Sequence, residues 1–181
     1  VERYSVVGCV SRGEVPAHVI RNAHVQLALC ADLFSDGVLV HIDDVKPARM
    51  NVKDGWSITD FRIPIGRHNG SPTTLFWAKF MPGAVHKKHR HENCEELYYV
   101  IRGHGLAGAG PDRAEVRGGH VHYIPKGIEH FMHNLSQTEP LEVIGVYVGA
   151  GSVEETGYVY TGEVTEAEAD LLVIQGTVVS A

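Results

Sequence analysis

A chain of 181 residues, 44% hydrophobic and 21% charged, has the size of one domain or of one domain with an appended arm. At that length a single core buries roughly 70% of the unfolded chain's surface, so neither disulfides nor a structural metal are required for folding. The formal charge of −6 supplies no dominant positive field for phosphates, which argues against a nucleic-acid partner. No apolar run nears the roughly 20 residues of a membrane-spanning helix, so no membrane partner is expected.

Residues 1–56 read as an N-terminal arm or extension, with 19–34 apolar enough for a helix or two strands and 38–45 reading as a strand. From 57 to 150 the pattern changes. A strand over 57–65 leads into short apolar or alternating runs at 74–81, 85–91, 96–102, 114–117, 120–124, 128–134 and 141–148. Pro82-Gly83, Gly103, Gly110-Pro111, Gly118-Gly119 and Pro125-Lys126-Gly127 punctuate them, the rhythm of an all-β sandwich or barrel. Residues 151–181 form a C-terminal segment in which Thr165-Glu166-Ala167-Glu168 fits a capping box, predicting a short helix to about residue 174. Three scattered cysteines, Cys9, Cys30 and Cys94, form no CxxC pair, which points to a reducing, cytoplasmic setting.

Histidine is the anomaly. The chain has 12, and eight of them, His86, His89, His91, His104, His120, His122, His130 and His133, lie between residues 86 and 133, where even scatter would place about three. His89 and His91 are two apart, so in a strand both imidazoles face one side. Glu96 opens the next run after a polar turn, and a hairpin there would return its carboxylate to the histidines. Two neutral imidazoles and a carboxylate with open positions suit a divalent transition metal, and His130, opening another strand, offers a further ligand.

These residues carry a resemblance. Gly83, five residues, His89-x-His91, four residues, Glu96, six residues and Gly103 match the first motif of the cupin superfamily at every specified position. Gly119, five residues, Pro125-x-Gly127, two residues, His130, three residues and Asn134 match its second. The chain therefore resembles a single-domain, metal-binding cupin. The resemblance implies an antiparallel β-barrel of jelly-roll type, here with an N-terminal arm and a short C-terminal helix, and one metal held by His89, His91, Glu96 and His130. Glu95 competes with Glu96, but choosing it puts Arg102 where the motif requires Gly. With Glu96 inward, Tyr98 and Val100 follow it, and Tyr99 and Ile101 pack outside.

The other residues have plainer readings. His86, His104, His120, His122 and His133 fit no motif position, and their default is packing or surface, with orientation of ligands or substrate as the alternative. Cys94 reads as a spectator, Arg62, Arg67 and Lys79 as solvated cations, and Phe76, Trp77, Phe80 and Tyr123 as barrel aromatics. Gly83, Gly103, Gly119 and Gly127 read as turn glycines.

Mixed nitrogen and oxygen ligation suits Fe(II), favoured here, as well as Mn, Ni, Co or Zn. The leading expectation is a metal-dependent dioxygenase, an oxidoreductase acting on a small aromatic, diketone or flavonoid-like compound at the metal. The alternative is a redox-neutral lyase, isomerase or decarboxylase in which catalytic Tyr98, beside Glu96, moves a proton. A third is a small-molecule binding or regulatory cupin, which the lack of a helix-turn-helix domain disfavours. The expected partners are the small-molecule substrate and a second copy, in a homodimer whose sheet edges the arm covers or exchanges.

Overall fold

A computed structural model of the chain describes residues 37–50 and 55–165. Two compact units divide at residue 41. Of the first, only 37–41 are described, and 38–41 are irregular. The expectation for 19–34 lies outside the described residues, as does nearly all of the C-terminal helix expected from Thr165. The strand expected over 38–45 does not form. Ile42–Asp44 is instead a 3-10 turn, in keeping with the acidic pair Asp43-Asp44, which favours turns and helix starts over strands.

The described residues of the second unit form ten strands: β1 (Asp60–Ile65), β2 (Thr74–Phe80), β3 (Val85–His91), β4 (Glu95–Arg102), β5 (His104–Ala109), β6 (Asp112–Arg117), β7 (Val121–Ile124), β8 (His130–Asn134), β9 (Leu141–Val148) and β10 (Tyr158–Gly162). They form two five-stranded sheets, ordered β1-β2-β9-β4-β7 and β10-β3-β8-β5-β6, with antiparallel pairing throughout. This is the all-β jelly-roll arrangement, although among the described residues the ladders do not close it into a continuous barrel. The second sheet continues past residue 150, because β10 pairs with β3.

The core lies between the sheets. Strand β2 alternates buried and half-buried residues along its whole length, and Phe76, Ala78 and Phe80 meet Val100, Leu141 and Val143 there. Strand β4 places Glu96, Tyr98 and Val100 inside and Tyr99 and Ile101 outside, as the alternation requires. Trp77 carries the Arg62 guanidinium over its ring at 5.7 Å, whereas Phe76 and Phe80 are core residues.

Strand β5 was not expected, since His-Gly-Leu-Ala-Gly-Ala carries little strand propensity. Its glycines are needed for packing. A Cβ on Gly108 would enter the Phe131 ring, and one on Gly105 would lie 2.7 Å from the Leu141 side chain, so small residues let the neighbouring layers approach. Gly103 turns β4 into β5 at φ +99°, with Pro140 and Leu141 backbone atoms within 2.7 Å of where a Cβ would stand.

Asn134, at the end of β8, is fully buried. Its amide nitrogen donates toward the carbonyls of Phe80, Met81 and Glu139 at 2.9–3.1 Å, and its oxygen accepts from the Ser136 amide at 3.0 Å. One side chain thus ties the ends of β2 and β8 to the turn before β9. Substituting Asn134→Ala strands those carbonyls, and we expect a stability loss of about 2–4 kcal/mol in chemical unfolding; an unchanged midpoint and slope would refute this role.

Candidate metal centre

His89, His91 and His130 come from the β3–β8 pair of one sheet, and Glu96 comes from β4 of the other. The expected hairpin between β3 and β4 is replaced by a crossing. The two strands do not pair with each other, and residues 92–94 carry the chain from one sheet to the facing one. That turn is fixed by Glu92 and Asn93 amides donating to Gly157 and Thr156 carbonyls at 3.1 and 2.9 Å. The carboxylate therefore approaches the imidazoles from across the core rather than along a ladder.

The four ligand atoms lie within 4.8 Å of one another, and all four residues are buried. His89 and His130 face each other as a cross-strand pair, with ring centroids 4.1 Å apart. The Nδ1 of His89 donates to the Lys87 carbonyl at 2.7 Å, and the Nδ1 of His130 to the Ile128 carbonyl at 2.8 Å. Those bonds fix the tautomers and turn both Nε2 lone pairs inward. His89 Nε2, both ring nitrogens of His91 and Glu96 Oε1 have no hydrogen-bond partner although buried. Buried polar atoms are seldom left so. His130 Nε2 and Glu96 Oε2 are 2.7 Å apart, and His91 Nε2 is 3.3 Å from the same oxygen. With Nδ1 of His130 already donating, a neutral ring would set two lone pairs against each other there, so either a second ring proton or a metal cation lies between. Neutral nitrogens and a carboxylate converging on one point are the donor set of a divalent transition metal. The cluster fits a site for one such ion, and its chemistry does not select which.

Burial would raise the Glu96 pKa, but the His130 and His91 rings beside its carboxylate hold it well below the usual carboxylate range. Burial, with His86 and His130 nearby, holds the His89 pKa well below that of a free imidazole. Gly127 anchors the turn ahead of His130: at φ +78° its amide donates to the His91 carbonyl at 2.8 Å. Glu95 faces outward and accepts from the Tyr123 hydroxyl at 2.9 Å.

Aromatic groups and a further histidine surround the cluster. Tyr147, paired with Glu96 across β4 and β9, has its ring 4.9 Å from His91, and the Tyr158 ring is 4.9 Å from His89. Tyr98 is buried beside Glu96 and faces His122 at 6.5 Å. Burial, and then the Glu96 charge, push both the Tyr98 and the Tyr147 phenols well above their ordinary pKa, so both keep their protons at neutral pH. His86 also points inward, its ring 4.1 Å from His89. Its pKa is lowered to about 4 by burial, and its Nδ1 donates to the Gly55 carbonyl at 3.2 Å. That carbonyl also accepts from the Lys87 amide at 3.1 Å, which seats Trp56 against His86 and His89 at 4.5 and 6.4 Å.

Strand alternation counted back from His89 places Lys87 inside and His86 outside. A β-bulge between His86 and His89 reverses that phase, because one extra residue swaps the faces. Trp56, Tyr147 and Tyr158 were missed for other reasons, since Trp56 and Tyr158 lie beside the expected barrel limits and Tyr147 shows only the alternation of β9.

The remaining candidates stand apart from the cluster. His104 pairs with Glu115 at 2.9 Å, His120 lies in the turn against Arg117, and His133 is half-buried. Cys94 is buried, and burial pushes its thiol up to about 12, making it inert. Arg62 pairs with Asp60 at 2.9 Å, Arg67 with Glu155 at 2.6 Å and Lys79 with Glu142 at 3.9 Å.

Comparison with known proteins agrees with this architecture. Residues 76–147 match the cupin domain family. An uncharacterized protein of Methanocaldococcus jannaschii is 30% identical over 102 residues, covering 56% of this chain and 78% of that one. Among solved structures, a cupin-like protein of Thermotoga maritima superposes with a TM-score of 0.52 at 26% identity, over 60% of this chain and 80% of the other. A predicted oxalate decarboxylase of the same organism (TM-score 0.53, 22% identity, 61% and 97% covered) and the polyketide cyclase RemF of Streptomyces resistomycificus (0.53, 22%, 61% and 78%) share the fold. The two sheets, the buried imidazole and carboxylate cluster between them and these likenesses together place the chain in the cupin superfamily.

Proposed function

We propose that the chain is a mononuclear metal-dependent enzyme acting on a small oxygenated organic compound, with His89, His91, Glu96 and His130 as the ligands. The observation that carries this reading is the convergence of four buried ligand atoms within 4.8 Å, three of whose residues have inward atoms without partners. A divalent ion held there polarises an oxygen substituent of the substrate as a Lewis acid, and iron(II) adds the capacity for dioxygen chemistry.

Redox-neutral proton transfer, as in a lyase, isomerase or decarboxylase, is the chemistry the surroundings favour. The groups beside the cluster carry protons: the phenols of Tyr98 and Tyr147 lie next to Glu96, and His122 pairs with Tyr98 across β4 and β7. A buried neutral phenol donates a hydrogen bond to developing charge on a substrate oxygen, or a proton to a carbanion, and Tyr98 is placed for that role. Oxalate decarboxylase and polyketide cyclase names among the fold neighbours agree with this reading. Dioxygenase chemistry is the second reading, favoured by the apolar packing of Phe76 and Trp56 around the cluster, which keeps water from a reactive centre.

Three measurements test these statements. Metal analysis of purified protein should give about one ion per chain, falling steeply in His91→Ala and in Glu96→Gln but not in His104→Ala; full metal content in the first two would refute the ligand set. Turnover of oxalate, 1,3-diketones or catechols by metal-loaded protein should persist without oxygen and fall by about 10²–10⁴ in Tyr98→Phe with metal retained. Oxygen uptake matched to turnover would establish the dioxygenase reading instead.

A homodimer is part of the proposal. Tyr99, Val121 and Tyr123 lie 49%, 68% and 51% exposed side by side on β4 and the edge strand β7, an apolar patch of the kind that pairs with a second copy. Sedimentation should show a dimer that Val121→Glu with Tyr99→Glu converts to monomer; a monomeric parent would refute it.

A further inference from the structure

A cavity of about 690 Å³ opens beside the cluster, lined by segments 46–50, 63–68 and 151–158. Its inner wall includes Trp56 and Tyr158, the two aromatics whose rings stack against His89 at 6.4 and 4.9 Å. The cavity and the cluster are therefore separated by a layer of side chains. Ala48, Met50, Ile63 and Val153 add apolar lining. The polar lining has one sign in excess: Lys46, Arg49 and Arg67, with His68, against Glu154 alone among acidic residues. Arg67 is committed to Glu155 through two bonds of 2.9 and 2.6 Å. Lys46 and Arg49 are exposed and make no ion pair with any other described residue. Two uncommitted cations at the lip of an apolar cavity stand out in a chain of net charge −6, and such local charge concentrates anions whatever the overall sign.

We propose that this cavity receives the substrate of the metal centre, and that the substrate is an organic anion with an apolar body. Its carboxylate or phosphate head rests on Lys46 and Arg49, and its body lies along Trp56 and Tyr158 toward His89. Arg49 supplies a planar fork suited to an oxyanion and Lys46 a point charge, while Trp56 and Tyr158 supply flat apolar surface. The inference deepens the enzyme reading given above and rests on it for the fate of the ligand, although head-group binding itself does not require catalysis.

Calorimetric titration of the full chain with benzoate, phenyl phosphate, benzyl alcohol and inorganic phosphate tests it. At least one of the two aromatic anions should bind about tenfold or more tightly than benzyl alcohol and than inorganic phosphate, and weaken with salt. Comparing benzoate with phenyl phosphate identifies the preferred head group. The double variant Lys46→Gln, Arg49→Gln should lose about tenfold or more in affinity for that anion with its metal content unchanged. Protein stripped of metal by chelation should still bind it within a few-fold. Three results would overturn the inference: no binding of either aromatic anion, equal binding of the neutral alcohol, or parent-like affinity in the double variant. Binding that vanishes with the metal but survives the double substitution would place the anion on the ion, sinking this inference while leaving the metal enzyme standing. Binding as expected in a protein without turnover would leave the cavity assignment standing and sink the enzyme reading.

Discussion

A carboxylate shut away from water is the constraint around which this unit is arranged. Glu96 is 1% exposed, and an ionised carboxyl removed from water is costly unless donors or cations meet it. Its own sheet sets the Tyr98 and Tyr147 phenols beside it, with Tyr147 and Ile124 as its ladder neighbours. Compensation comes from the facing sheet, through His130 at 2.7 Å and His91 at 3.3 Å. Besides the tie through Asn134 and the apolar packing, the two sheets are thus joined by polar contact at this point. A cation bound at that point acts on both, so the occupancy of the centre and the stability of the fold are linked.

The same constraint sorts the excess of histidine. A strand two residues out of every four of which face the core admits His89 and His91 without distortion, but His86, three residues earlier, reaches the core only because β3 carries an extra residue against β8. The β10 ladder carries a separate irregularity, an extra residue on β10 where Tyr160 meets His89 and Gly162 meets Lys88. His86 then stays neutral through burial, adding a hydrogen-bonding ring without adding charge. His104 and His120, on partly or fully exposed positions, find Glu115 and Arg117 instead. One composition anomaly therefore has two physical origins.

Most of this was legible where the pattern and punctuation coincide. The bounds of β9 follow from an apolar run ended by turns and those of β3 from the Pro82-Gly83 and Glu92-Asn93 breaks around it, and the inward set of β4 follows from Glu96 alone. The cluster residues were legible because 89 and 91 share one face of a strand and because the cupin motifs that the chain resembles specify 96 and 130 beside them. The bulge, the crossing at 92–94 and strand β5 were not. Each depends on a partner distant in sequence: Gly108 is a strand residue because Phe131 stands over it, and residues 92–94 cross because 155–157 hold them. Tyr158-Val159-Tyr160 did carry strand composition, but it follows the glycine break at 149–151, where the barrel was expected to end.

Charge placement connects the interior to the surface. The Glu96 carboxylate sets a negative group behind Trp56 and Tyr158 that opposes an anion in the cavity, and a divalent ion held by the cluster would offset it. The rim cations Lys46 and Arg49 act at longer range and on the water side, where salt screens them within about 10 Å. An anionic ligand therefore depends first on the salt-sensitive attraction of the rim, with Trp56 and Tyr158 standing between it and the cluster.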